Sequence, residues 1–210
     1  MPSQPLIGIL KMPIGNLRSV QNAVSANGFD PVSVAEGREL DDLSHLIIPG
    51  VGAFAAVMAH LREANLVEPI RQFARSGRPV LGICVGMQLL AQHGREGGAC
   101  EGLGLVEGTV ERLVVDKDVP LPHVGWSSVN FTRPHPVLDG MKPDRDFYFV
   151  HSYAISTTNE TEVIGETTYG TPFPSIIGQK NVIGFQFHPE KSQTNGLRLL
   201  ENFGCWDGVC

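Results

Sequence analysis

The chain of 210 residues carries 22 acidic and 16 basic side chains, a net charge of −6 and 42% hydrophobic residues. No Lys/Arg cluster offers a footprint for phosphates, which excludes nucleic acid as the main partner. No apolar run approaches the ~18 residues that a spanning helix needs, so no membrane partner is expected.

The length suits one domain covering residues 1–210. Met1-Pro2-Ser3-Gln4-Pro5 has no positive charge ahead of its short apolar run, which argues against a signal peptide. Cys84, Cys100, Cys205 and Cys210 are scattered, with no Cys-x-x-Cys pair. That spacing suggests neither a metal site nor a redox dithiol, and a reducing, cytoplasmic setting is the simplest reading.

Residues 6–10 read as a first strand. A helix is predicted over 16–28, with Leu17, Val20, Ala23 and Val24 on one face and Gly28 as its C-cap. A short strand follows at 31–34 and a third at 45–48, ending in Pro49-Gly50-Val51-Gly52. Helical pieces are expected over 53–65 and 69–76. Residues 79–83 are apolar and punctuated by Gly77 and Pro79, as in a buried strand. They run straight into Cys84, after which Met87, Leu90 and Ala91 recur at helical spacing. Strands alternating with helices indicate βαβ units and a parallel sheet, with the ligand site off the carboxyl ends of its strands.

Beyond about residue 100 the alternation gives way to short strand-like runs at 109–115, 127–131, 147–150, 163–167, 175–179 and 182–187. This half reads as antiparallel or mixed, closed by a helix over 196–203. The expected architecture is a three-layer α/β/α sandwich with a mixed central sheet.

Two stretches carry chemistry. Gly82-Ile83-Cys84-Val85-Gly86 has the form of a nucleophile elbow with sulfur in place of oxygen. The glycines tolerate strained angles and close packing, and the sulfur should lie near a helix N-terminus that favours a thiolate. About a hundred residues later the run 182–187 ends in His188-Pro189-Glu190. Pro189 stiffens that tripeptide, so Glu190 could hold one imidazole nitrogen while the other faces Cys84. Cys84, His188 and Glu190 would then be nucleophile, base and orienter of an acyl-transfer triad. An oxyanion hole is also required. The Val85 N–H is its natural first donor, and Val51 and Gly52 in the glycine-rich loop are the best source of a second.

With these stretches in view, the chain resembles the class I (triad) glutamine amidotransferases. More narrowly, it resembles the glutaminase subunits of imidazole glycerol phosphate synthases. The similarity extends through Gly15-Asn16-Leu17-Arg18, Pro49-Gly50-Val51-Gly52-Ala53-Phe54 and Pro122-His123-Val124-Gly125-Trp126. It continues in Phe149-Val150-His151-Ser152-Tyr153 and His188-Pro189-Glu190-Lys191-Ser192.

The resemblance implies hydrolysis of glutamine through a Cys84 thioester, with no cofactor and no metal. It implies that Gln88, Glu96, His151, Ser152 and Tyr153 hold the glutamine. It further implies a heterodimer in which ammonia passes to a (βα)8-barrel cyclase subunit of histidine biosynthesis, with Asn16, Trp126 and Lys191 near that interface. The chain departs from the family pattern in three places: the stretch Lys11-Met12-Pro13-Ile14, Ser127 and Gln193. The first two leave open a paralogous subunit feeding ammonia to amidino-sugar synthesis. A non-catalytic regulatory subunit is a third alternative, against which the intact Cys84, His188 and Glu190 argue.

Overall fold

The computed structural model describes residues 4–12, 17–142 and 145–210. Its first half alternates: β1 (Ile7–Leu10), α1 (Leu17–Ala26), β2 (Val32–Val34), β3 (His45–Gly50), α2 (Phe54–Glu63), α3 (Val67–Arg75), β4 (Val80–Cys84) and α4 (Val85–Leu89). The second half is mostly strand. It comprises β5 (His93–Gly94), β6 (Cys100–Glu101), β7 (Thr109–Arg112), β8 (His123–Phe131), β9 (Arg145–His151), β10 (Tyr153–Ser156), β11 (Val163–Tyr169), β12 (Thr171–Gln179) and β13 (Val182–Phe185), and ends in α5 (Gln193–Cys205).

Nine strands form one sheet in the order β2-β1-β3-β4-β13-β12-β11-β8-β9. Pairings from β2 to β13 are parallel and those beyond β13 antiparallel, which makes the sheet mixed. A smaller sheet has the order β10-β7-β5-β6. Helix α1 packs against α5 and α2 against α4, which supplies the helical layers of the α/β/α arrangement. Every residue of β1, β3, β4 and β13 is buried, as expected of parallel strands covered on both faces.

The expected elements are present with shifted ends. Strand β3 runs two residues further, to Gly50, where it pairs with Cys84. The helix after Cys84 is much shorter than expected. It stops at Leu89 because the carbonyls of Leu89, Leu90 and Ala91 accept N–H groups of the 103–106 segment. Strands β5, β6 and β10, of two to four residues, are too short to register as periodicity. The predicted start of the first helix at Asn16 lies outside the described residues.

The elbow divides its labour between residues. Cys84 itself takes the strained backbone, with φ 54° and ψ −113°. Its glycines serve close approach instead. A Cβ on Gly86 would lie 1.7 Å from the Ile48 carbonyl oxygen, and one on Gly82 would lie 2.5 Å from the Gly86 carbonyl oxygen. Strands β3 and β4 and the first turn of α4 thus touch backbone to backbone.

The Ile48 carbonyl belongs to β3 and cannot move without disturbing the sheet. Gly86→Ala should therefore lower the unfolding free energy by about 3 kcal/mol, measurable as a reduced urea midpoint. An unchanged midpoint would show that the elbow can relax.

Candidate active site

Parallel pairing of β3, β4 and β13 brings three loops to one sheet edge. Gly50 pairs with Cys84, and Phe185 pairs with Ile83. Three residues past β13, His188 donates its backbone N–H to the Tyr148 carbonyl of β9 at 2.9 Å. In a flat sheet those strands would lie about 19 Å apart, four spacings. The sheet therefore curls, and the β8–β9 hairpin folds over the carboxyl edge.

Cys84, His188 and Glu190 meet there. The sulfur is buried and lies 3.8 Å from the Val150 carbonyl oxygen. His188 Nδ1 pairs with Glu190 Oε1 at 2.8 Å, and the two side chains are 5% and 2% exposed. This leaves the other ring nitrogen for Cys84, its second partner. Burial alone would lower the imidazole's pKa. Cys84 and Glu190 outweigh burial and push it up to about 10, so the ring is poised as an imidazolium. The Ser192 hydroxyl braces the loop by donating to the His188 carbonyl at 2.6 Å and accepting the Tyr148 N–H at 3.0 Å.

A cavity of about 390 Å³ opens beside the sulfur. Most of the residues singled out from the sequence line it: Val51, Gly52, Cys84, Val85, Gln88, Glu96, His151, Ser152, Tyr153, His188 and Lys191. Glu190 is not among them and sits behind the imidazole. Ala53, Pro122 and Val150 complete the wall.

Gln88 is buried on α4, its Nε2 donating to the Tyr153 carbonyl at 2.8 Å and to Gln186 Oε1 at 3.2 Å. Glu96, between β5 and β6, accepts the Phe54 N–H at 3.2 Å and so ties the start of α2 to the cavity. Burial raises its pKa and the Phe54 N–H opposes the shift. His151 bonds the Tyr153 carbonyl through Nδ1 at 2.8 Å and His123 through Nε2 at 3.1 Å. Burial lowers the pKa of His123 to about 4 and of His151 to about 3, so both rings are neutral near pH 7.

The short α4 changes one expectation. A five-residue helix offers little dipole to the sulfur, so its charged partner is the imidazole. Among the described residues no cluster of His, Cys, Asp or Glu could hold a metal ion, and no helix is long and apolar enough to cross a membrane.

The residues expected at an interface divide. Trp126 is 48% exposed and packs edge-on against Tyr148, and the Lys191 ammonium lies 5.8 Å from the Tyr148 ring. Trp126 stands outside the cavity and Lys191 on its rim. Asn16 lies outside the described residues. Sequence reasoning passed over Gln186. Its signal was a lone amide in the otherwise apolar run 182–187.

Comparison with known proteins agrees with this geometry. The description of the glutamine amidotransferase class-I family matches residues 15–205. A relative called imidazole glycerol phosphate synthase subunit HisH, from Desulfitobacterium hafniense, is 44% identical over 201 residues, covering 96% of this chain and 94% of that one. Its namesake from Aquifex aeolicus is 45% identical over 191 residues, covering 90% and 91%. One from Moorella thermoacetica is 46% identical over 199 residues, covering 94% and 93%. Among solved structures, PurLQS from Thermotoga maritima aligns with a TM-score of 0.78 at 18% identity, covering 95% of this chain and 97% of that one. A crystal structure of a glutamine amidotransferase aligns at 0.74 and 22%, covering 95% and 99%. These two likenesses establish the fold.

The raised pKa of His188 links protonation to stability. A group whose folded pKa exceeds its unfolded value stabilises fully below the latter and loses that contribution as pH rises through the former. Urea unfolding should show stability falling between pH 6.5 and about 10, with the slope reduced in Glu190→Gln. Equal slopes in both proteins would show that the pair is not charged.

Proposed function

The chain belongs to the class-I glutamine amidotransferase family and, within it, to the HisH subunits of imidazole glycerol phosphate synthase, and from this we propose how its site works. The observation that carries the reading is the buried Glu190–His188 pair beside Cys84 in one cavity.

In this mechanism the Cys84 thiolate, paired with the His188 imidazolium, attacks the side-chain carbonyl carbon of glutamine. A C–S bond forms, and the carbonyl oxygen takes the negative charge. Backbone N–H groups of Val85 and of Val51 or Gly52 receive that oxyanion. His188 gives its proton to the departing nitrogen, the C–N bond breaks and ammonia leaves. The neutral imidazole then takes a proton from water, and the resulting hydroxide attacks the thioester. Glutamate departs and Cys84 is regenerated. Glu190 orients the ring and stabilises its cationic form. Gln88, Glu96, Ser152 and Tyr153 hold the amino-acid end of the substrate.

We read residues 1–210 as one amidotransferase domain, supported by a single buried cluster drawn from both halves of the chain. The partner is a barrel cyclase that consumes the ammonia. The exposed Val124, Trp126 and Lys191 beside the cavity mouth suit its docking face. A cytoplasmic setting fits the free cysteines and a biosynthetic activity.

Glutamate release should be slow for the subunit alone. Mixing it with a histidine-pathway cyclase and that enzyme's ribonucleotide substrate should accelerate release strongly. Cys84→Ala should abolish it, and Glu190→Gln should lower kcat by about 100-fold or more. Rapid turnover by the isolated subunit would contradict the dependence on a partner, and unchanged turnover in Cys84→Ala would overturn the mechanism.

A further inference from the structure

Gln186 is fully buried at the end of β13, and nothing in the mechanism above uses it. Its hydrogen bonds form a chain whose direction is fixed at one end. The Tyr153 carbonyl can only accept, so the group of Gln88 facing it at 2.8 Å must be the amide nitrogen. The same nitrogen faces Gln186 at 3.2 Å, which requires the Gln186 oxygen there. The Gln186 nitrogen is then left to point at the Cys84 sulfur, 3.9 Å away, within reach of a large, diffuse acceptor. His151 donates to the same Tyr153 carbonyl, and its neutral ring keeps that end of the chain constant near pH 7.

Orientation at the other side of Gln88 follows from the same logic. With its nitrogen committed twice, Gln88 Oε1 is left buried and without a hydrogen-bond partner among the described residues. We propose that Gln186 is a positioning residue that relays the sense of the Tyr153 carbonyl through Gln88 to the nucleophile, delivering an N–H to the Cys84 thiolate. Its turnover readout rests on the glutaminase reading, and the sulfur contact does not.

The test uses Gln186→Met and Gln186→Glu in the full chain, with thermal unfolding to confirm that each is folded. Met keeps the length of the side chain and removes both amide atoms. Ionised Glu still accepts from Gln88 but presents an oxygen to the sulfur. Iodoacetamide alkylation of the Cys84 peptide, followed by mass spectrometry against pH, reads the thiolate without needing turnover.

Loss of one hydrogen bond to a charged sulfur should raise the alkylation midpoint by about one pH unit in both variants. In the cyclase complex, kcat should fall by about tenfold in both. The glutamine KM should stay near the parent value in both, because the Tyr153 carbonyl still fixes the Gln88 amide. If Met fails to fold, the Glu variant carries the test alone. Midpoints within a few tenths of a pH unit of the parent would overturn the proposal, as would a KM that rises as steeply as kcat falls. If the parent complex hydrolyses no glutamine, the glutaminase reading falls, and the alkylation profiles still decide whether Gln186 governs the sulfur.

Discussion

The structure depends on a backbone-to-backbone contact that only glycine permits. The first turn of α4 lies so close to β3 that Gly86 has no room for a methyl group under the Ile48 carbonyl. That contact holds Cys84 in a conformation non-glycine residues rarely adopt, with a cost of about 1–3 kcal/mol that the surrounding sheet must sustain. The strain turns the sulfur away from β4 and into the cavity. The pairing of β3, β4 and β13 then sets where the glycine loop and His188 can be. A looser elbow would leave the same residues in the chain but not in one place.

Three buried histidines near this elbow show how environment sorts one side chain into different roles. His123 and His151 face each other, a serine hydroxyl and a carbonyl, with no acidic partner, and burial keeps them neutral. They act as fixed hydrogen-bonding plates, His151 in the wall of the cavity and His123 behind it. His188 is as deeply buried but has Glu190 on one nitrogen and Cys84 as its other partner, which favours the charged form. Proximity of a carboxylate and a thiol decides between scaffold and acid–base chemistry.

Much of this could be read from the chain alone, for identifiable reasons. The parallel strands were legible because burial on both faces makes them unbroken apolar runs. The elbow and His188-Pro189-Glu190 were legible because each is local. Contacts between distant segments were not. The early end of α4 is set by N–H groups arriving from residues 103–106, which no helical pattern contains. The curl that carries β9 onto His188 depends on the whole sheet. Gln186 looked like one polar residue in an apolar strand, and its use emerges only when Gln88 and Tyr153 stand beside it. Ser127, a departure from the family pattern, takes a partner that the sequence could not name, the His123 ring at 2.8 Å.

The position of β13 has a consequence for how the protein comes into being. Strand β4, with its cysteine, is made early, whereas β13 is made late and must insert between β4 and β12 before the sheet is continuous. Such long-range pairings form late because closing the loops between them is entropically costly. Throughout synthesis the thiol therefore exists without its imidazole, and a partly built chain carries an unarmed nucleophile. Reactivity requires that β13 has paired with β4 and carried His188 to the sulfur.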